Sequence, residues 1–221
     1  PTVLGDLIAM NALYRPGPMG NIGTFIARKH GEQKVTYLHP LMEDILRETY
    51  GIIVYQEQVM QMGSVIAGFS LSKADLMRRA MGKKIKALMD EMKGEFISGA
   101  KTRDINEKLS SQIWDLIEKF AEYGFNKSHS AAYSVIAYQT AYLKTHYPVE
   151  FMAANLSSEK GDTDKIQKLL AECRKLKIEV IPPDVNTSEA QFSPGEGSTI
   201  IYGLNAIKRV GSKAAEAVMQ E

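Results

Sequence analysis

Cysteine is nearly missing from this chain: of 221 residues only Cys173 carries a thiol, which excludes an internal disulfide framework and a cysteine-built zinc site. That lone thiol reads as a small core side chain in a reducing compartment. No stretch reaches the roughly 18 to 20 apolar residues of a membrane span, and Pro1-Thr-Val-Leu-Gly has no secretory character. The expectation is a cytoplasmic protein without membrane contact. An excess of charge is missing too, since 27 basic and 26 acidic residues leave a formal +1. Any grip on nucleic acid must then come from local charge. Three common reaction signatures are also lacking: the Gly-x-x-x-x-Gly-Lys-Ser/Thr loop, the His-Glu-x-x-His helix and the Gly-x-Ser-x-Gly turn. Gln56-Glu57-Gln58 and Glu43-Asp44 bring carboxylates, but neither has the character of a metal-binding pair on a strand, so no metal site is expected. The chain lacks an initiator methionine and opens on Leu7-Ile-Ala-Met-Asn-Ala-Leu, an apolar segment that needs a partner. It reads as a segment excised from a larger protein.

What is present describes a globular chain, with 44% apolar and 24% charged residues. Helical periodicity dominates. After the helix-breaking Tyr14-Arg-Pro-Gly-Pro-Met, Val59, Met60, Gly63 and Ile66 form one face of a predicted helix from about 57 to 67. Tyr50-Gly-Ile-Ile-Val-Tyr before it reads as a strand or as the entry to that helix. Ser72-Lys-Ala-Asp75 has capping-box spacing and predicts a helix start, with Gly82 interrupting it. Apolar stripes then predict helices over 85–98 (Ile85, Leu88, Met89, Met92, Phe96) and 106–121 (Leu109, Ile113, Leu116, Ile117, Phe120). Residues 130–145 are apolar or aromatic nearly all round, which predicts a central buried helix. Pro148 begins another, and Asp164 to Leu176 is amphipathic. From Lys177 the pattern changes to a short strand ended by Pro182-Pro183, a hairpin over Phe192 to Tyr202, and half of a helix-hairpin-helix over Leu204 to Met219. Arg209 stands where that motif normally has its first glycine. The fold class is therefore mainly α, with a small α+β unit at the C-terminal end.

Two motifs carry chemistry. Leu76-Met-Arg-Arg-Ala-Met-Gly-Lys-Lys sets Arg78, Arg79, Lys83 and Lys84 about Gly82, within a stretch from Lys73 to Lys86 that holds six basic residues against Asp75 alone. Phe120-Ala-Glu-Tyr-Gly-Phe-Asn-Lys-Ser-His-Ser-Ala-Ala-Tyr should end one helix near Tyr123 and start another, capped by Ser128 or Ser130, beside Lys127 and His129. Guanidinium forks, an ammonium, an imidazole and free backbone N–H groups suit a polyphosphate. Tyr133, one turn beyond His129, is placed to meet a base. The competing readings are a solvated basic helix face, a capped or core imidazole, and a core tyrosine.

Taken at length, these motifs resemble the alpha-subunit family of bacterial DNA polymerase III. Tyr50-Gly-Ile-Ile-Val-Tyr-Gln-Glu-Gln-Val-Met-Gln, His146-Tyr-Pro-Val-Glu-Phe-Met-Ala-Ala, Ile181-Pro-Pro-Asp-Val-Asn and Tyr202-Gly-Leu-Asn-Ala-Ile-Lys extend the resemblance over essentially the whole chain. It implies the fingers of a C-family replicative DNA polymerase, a nucleotidyltransferase of DNA replication. Residues 1–27 would be a palm-junction segment, 28–176 the helical fingers, and 177–221 a small β-hairpin and helical extension. Arg78, Arg79, Lys127, Ser128 and His129 would contact the triphosphate of the incoming dNTP, and Tyr133 would stack near the nascent base pair. Lys83 and Lys84 would serve phosphate or DNA. The family's catalytic aspartates and their Mg2+ belong to a palm whose motif is not in this chain, so the segment alone should not polymerise. The implied partners are dNTP, primer–template DNA, other domains of the same polymerase, and replisome subunits including the sliding clamp, the last through segments outside this chain. The alternative is a non-catalytic helical DNA-binding module.

Overall fold

The computed structural model describes residues 1–121 and 123–220, leaving Glu122 and Glu221, the last residue of the expected C-terminal extension, outside the description. Two compact units, residues 1–135 and 136–221, organise the chain.

The first unit is helical. α1 (Leu4–Leu13) and α2 (Ile22–Lys29) lead through short turns to α3 (Glu43–Leu46), followed by α4 (Gln56–Ala67), α5 (Leu71–Gly82), α6 (Lys86–Lys101) and α7 (Glu107–Ala121). α8 (Lys127–His146) contributes its residues up to Val135. The predicted stripes meet as a core: Met62 and Ile66 of α4, Met77 and Met81 of α5, Met92 and Phe96 of α6, and Ile113, Trp114 and Ile117 of α7 are buried. Removing such side chains from water stabilises the fold by about 1.5–3 kcal/mol each. Edge-to-face rings, Phe69 on Phe96 at 6.1 Å and Phe96 on Trp114 at 5.5 Å, fix their packing. A second cluster joins Ala9, Ala12 and Leu13 of α1 to Phe25, Ile52, Val54 and Tyr55. Asp6, itself buried, ties that end down by accepting from the backbone N–H of Thr2 (2.7 Å) and pairing with Lys29 (2.7 Å).

Three local expectations need correction. α5 starts at Leu71 and its cap is Ser70, which accepts from the Lys73 N–H at 3.3 Å; the box at Ser72 lies inside the helix. Ile85 precedes α6 and is exposed, outside the apolar stripe it was assigned to. Most plainly, residues 130–145 are not a buried helix. Only Ser130 and Ser134 of α8 are buried, whereas Tyr133, Ile136, Tyr138, Tyr142 and Leu143 are exposed. The buried side uses small residues because α1 approaches closely: the Ser130 hydroxyl donates to the Ile8 carbonyl at 2.5 Å.

The second unit holds residues 136–146 of α8, then α9 (Pro148–Ser158), α10 (Thr163–Lys175), β1 (Glu179–Ile181), β2 (Ser193–Pro194), β3 (Thr199–Ile201) and α11 (Ser212–Gln220). β2 and β3 make the predicted antiparallel hairpin, with Ser193 opposite Ile201, and β1 joins β3 in parallel, with Val180 opposite Ile200. Met152, Leu156, Ile166, Cys173, Phe192 and Ile200 form the core. Burial pushes the Cys173 thiol pKa up, in keeping with an inert core side chain. Arg209 has φ of 74°, the left-handed conformation a glycine takes without strain. Among the described residues no helix is long and apolar enough to cross a membrane.

The crossing of α6 over the end of α4 sets a first expectation. A Cβ at Gly99 would fall 2.1 Å from the Ala67 carbonyl oxygen, whereas one at Gly94 meets nothing within 4 Å. Gly99→Ala should therefore destabilise by about 1–3 kcal/mol, and Gly94→Ala should stabilise by about 0.5–1 kcal/mol. Chemical denaturation of the two variants checks the opposite signs.

Candidate functional site

The site begins with a backbone pairing. The Phe125 N–H donates to the Val54 carbonyl at 3.1 Å and the Gln56 N–H donates to the Phe125 carbonyl at 3.0 Å, a parallel bridge between Tyr55 and Phe125. Two chain segments about seventy residues apart are thereby aligned, one opening α4 and the other opening α8. Gln58 holds the first of them. Its buried carboxamide accepts from the N–H groups of Val54 (2.8 Å) and Tyr55 (3.0 Å) and donates to the Ile45 carbonyl and the Thr49 hydroxyl. Arg15, from the Tyr14-Arg-Pro-Gly-Pro joint, holds the second by donating to the Tyr123 carbonyl at 2.6 Å and lying 4.5 Å over the Phe125 ring. Gly17, at φ 99°, packs so tightly on the Tyr123 ring that a Cβ would sit 2.5 Å from it.

Gln56 then joins the two cationic motifs. Its side-chain NH2 donates to the Gly124 carbonyl at 3.1 Å, and its side-chain oxygen accepts from Arg78 Nη1 at 3.3 Å. Arg78 gives its Nε and Nη2 to one oxygen of Asp75, at 2.9 and 2.7 Å, while Arg79 takes the other oxygen at 2.9 Å. The Arg78 hydrogen bonds hold the Asp75 carboxyl pKa below its usual range, against a smaller opposing effect of burial, and Arg79 adds to the lowering.

At the start of α8 the expected caps, Ser128 and Ser130, are replaced by Asn126, whose side-chain oxygen accepts from the His129 N–H at 2.8 Å. Ser128 is exposed on the first turn. The free backbone N–H expected to take an anion already has one: both oxygens of Glu57 accept from the Lys127 N–H at 3.1 Å. The Lys127 ammonium reaches Glu48 at 2.6 and 2.7 Å and lies 5.4 Å over the Tyr55 ring. Burial, together with the charges of Glu48 and Glu57, pushes the Tyr55 phenol pKa well up. The rings of Phe125, His129 and Tyr133 follow one another a turn apart, with Phe125 edge-on to His129 at 5.2 Å and His129 tilted 32° against Tyr133 at 4.7 Å. Tyr133 is exposed, so its reading as a core side chain fails.

The structure thus brings Arg78, Arg79, Lys127, His129 and Tyr133 onto the elements that Gln56 ties together. Lys83 and Lys84 stand farther along, on the exposed turn after α5, where Lys84 has φ of 53°. The residues that sequence reasoning missed are Glu48, Gln56, Glu57, Gln58 and Asn126. A signal existed in Gln56-Glu57-Gln58: three polar side chains heading an apolar helix exceed what capping requires. The carboxylates do not suit a metal ion, because Glu48, Glu57 and Asp75 each face a cation or an N–H group. Among the described residues no cluster of three His, Cys, Asp or Glu side chains could hold one.

Residues 1–104 match the bacterial DNA polymerase III alpha subunit finger domain, and residues 177–221 match a helix-hairpin-helix motif. Over its full length the chain is 51% identical to DNA polymerase III subunit alpha of Pseudomonas aeruginosa, covering 19% of that protein. It is 51% identical to the Thermus aquaticus subunit, covering 18%, and 52% identical to that of Treponema pallidum, covering 19%. The chain spans about a fifth of the length of these curated relatives.

The Asp75 clamp gives a pH dependence. Because its folded pKa lies below the ordinary 3.8, the pair with Arg78 contributes at neutral pH and is lost as pH falls through the folded value. An NMR titration of the Asp75 carboxyl should show a midpoint under 3.8, rising toward 3.8 in Arg78→Ala.

Proposed function

As the chain belongs to the bacterial DNA polymerase III alpha subunit family, with its finger domain among the matched parts, we propose that it binds the incoming dNTP for template-directed DNA synthesis. The observation that carries this reading is the Gln56 bridge, one side chain in contact with both cationic motifs. A triphosphate needs several charge-assisted donors converging on it, and two separate basic surfaces would not provide them.

In this reading Arg78, Arg79 and Lys127 are held ready on internal carboxylates and exchange them for phosphate oxygens when the nucleotide arrives. Exposed ion pairs are weak, so the exchange meets little resistance at Arg79 and Lys127. Ser128 and His129, on the first turn of α8, add side-chain donors, and Tyr133 beside His129 offers a ring face to the base. Lys83 and Lys84 serve phosphate or the nucleic-acid backbone. The segment supplies position and positive charge, which favour a transition state where charge builds on phosphate oxygens. Its carboxylates do not suit the Mg2+ such a polymerase uses, so no step of bond making is assigned to them, and the segment alone is inactive. Primer–template DNA, the clamp and other domains of the polymerase complete the machinery. The division into a junction over 1–27, fingers over 28–176 and an extension over 177–221 belongs to the same proposal. The helix-hairpin-helix match supports an added contact to DNA by that extension.

In a full-length alpha subunit carrying this segment, Arg79→Ala and Lys127→Ala should each lower kcat/KM for dNTP by about 10²-fold, with primer–template affinity little changed. Single-nucleotide incorporation kinetics check this. Wild-type kinetics in both variants would contradict the assignment.

A further inference from the structure

Gln56 lies outside the cationic motifs, yet its side chain is hydrogen-bonded to both of them. The orientation of its carboxamide is forced. A guanidinium only donates and a backbone carbonyl only accepts, so the oxygen must face Arg78 and the NH2 must face Gly124. The backbone of Gln56 is pinned as well, by its N–H on the Phe125 carbonyl. Gly124 leaves room for the approach, since a Cβ there would stand 3.3 Å from Gln56 Cγ.

The two partners of Arg78 differ in kind. Asp75 is an anion that also serves Arg79, so an arriving phosphate competes with it for the same charge. Gln56 is neutral. It holds Nη1 without cancelling the charge that phosphate would meet, and keeps its hold when Asp75 is displaced. From this geometry we infer that Gln56 is a positioning residue for nucleotide binding: it orients the Arg78 fork and locks it to the turn that begins α8, so that the two halves of the site move as one. The inference rests on the nucleotide-binding reading of the same site.

The test uses the full-length alpha subunit with Gln56→Met, which keeps the bulk and loses both hydrogen bonds, and Gln56→Glu, which keeps an acceptor for Arg78. The Glu variant sets an oxygen against the Gly124 carbonyl and cancels the Arg78 charge. Both should lower kcat/KM for dNTP about tenfold or more, the scale of one lost hydrogen bond to a charged group, chiefly through KM. In an Arg78→Ala background Gln56→Met should add little, because its effect runs through that arginine. Additive losses in the double variant, or wild-type kinetics in Gln56→Glu, would overturn the inference. Thermal melting accompanies each variant, and Gln56→Glu, of equal size, carries the comparison should Gln56→Met fail to fold. If Arg78→Ala itself incorporates normally, the nucleotide-binding reading falls, and this inference with it. If Arg78→Ala is impaired while Gln56→Met is normal, the inference alone falls.

Discussion

The short parallel pairing of residues 54–56 with Phe125 is the contact on which the rest of the site depends. Two backbone hydrogen bonds are modest in isolation, about 1 kcal/mol each. Here they are reinforced from both sides, by the buried Gln58 carboxamide below and the Arg15 guanidinium above. Loss of the pairing would separate α4, with its glutamines and Glu57, from the start of α8. The cations would remain on their helices, but the Gln56 link between Arg78 and the Gly124 carbonyl would be lost.

Charge in this site is balanced before any ligand arrives. Arg78 and Arg79 share Asp75, Lys127 rests on Glu48, and the first N–H of α8 rests on Glu57. Internal carboxylates placed in this way do two jobs. They prevent like charges from splaying the site, and in the proposed reading they hold positions that phosphate oxygens would take by virtue of greater charge. A near-neutral chain can in this way hold a strongly cationic surface in reserve.

Much of the helical framework was legible because amphipathic stripes report their own period. The faces of α4, α6 and α7 were read from Val59, Met92, Phe96, Ile113 and Ile117, and the hairpin from Phe192 to Tyr202. Other features depend on partners that periodicity does not reveal. Residues 130–145 of α8 are apolar or aromatic nearly all round, but in this structure only the narrow side at Ser130 and Ser134 is buried. The cationic residues were legible as a composition, whereas their convergence was not, because it runs through a neutral glutamine distant in sequence from either motif. The cap at Asn126 and the carboxylate at the head of α8 were hidden for a related reason: local spacing named the serines, and the tertiary contact brought Glu57.

The central claim is that the two cationic motifs form one site for a triphosphate. A structure of the full-length alpha subunit with primer–template and incoming dNTP tests it most directly. The account predicts phosphate oxygens within hydrogen-bond distance of both the Arg78–Arg79 pair and Lys127, with Asp75 and Glu48 displaced and Gln56 still between Arg78 and Gly124. A triphosphate held elsewhere, with the Asp75 and Glu48 pairs intact, would contradict it.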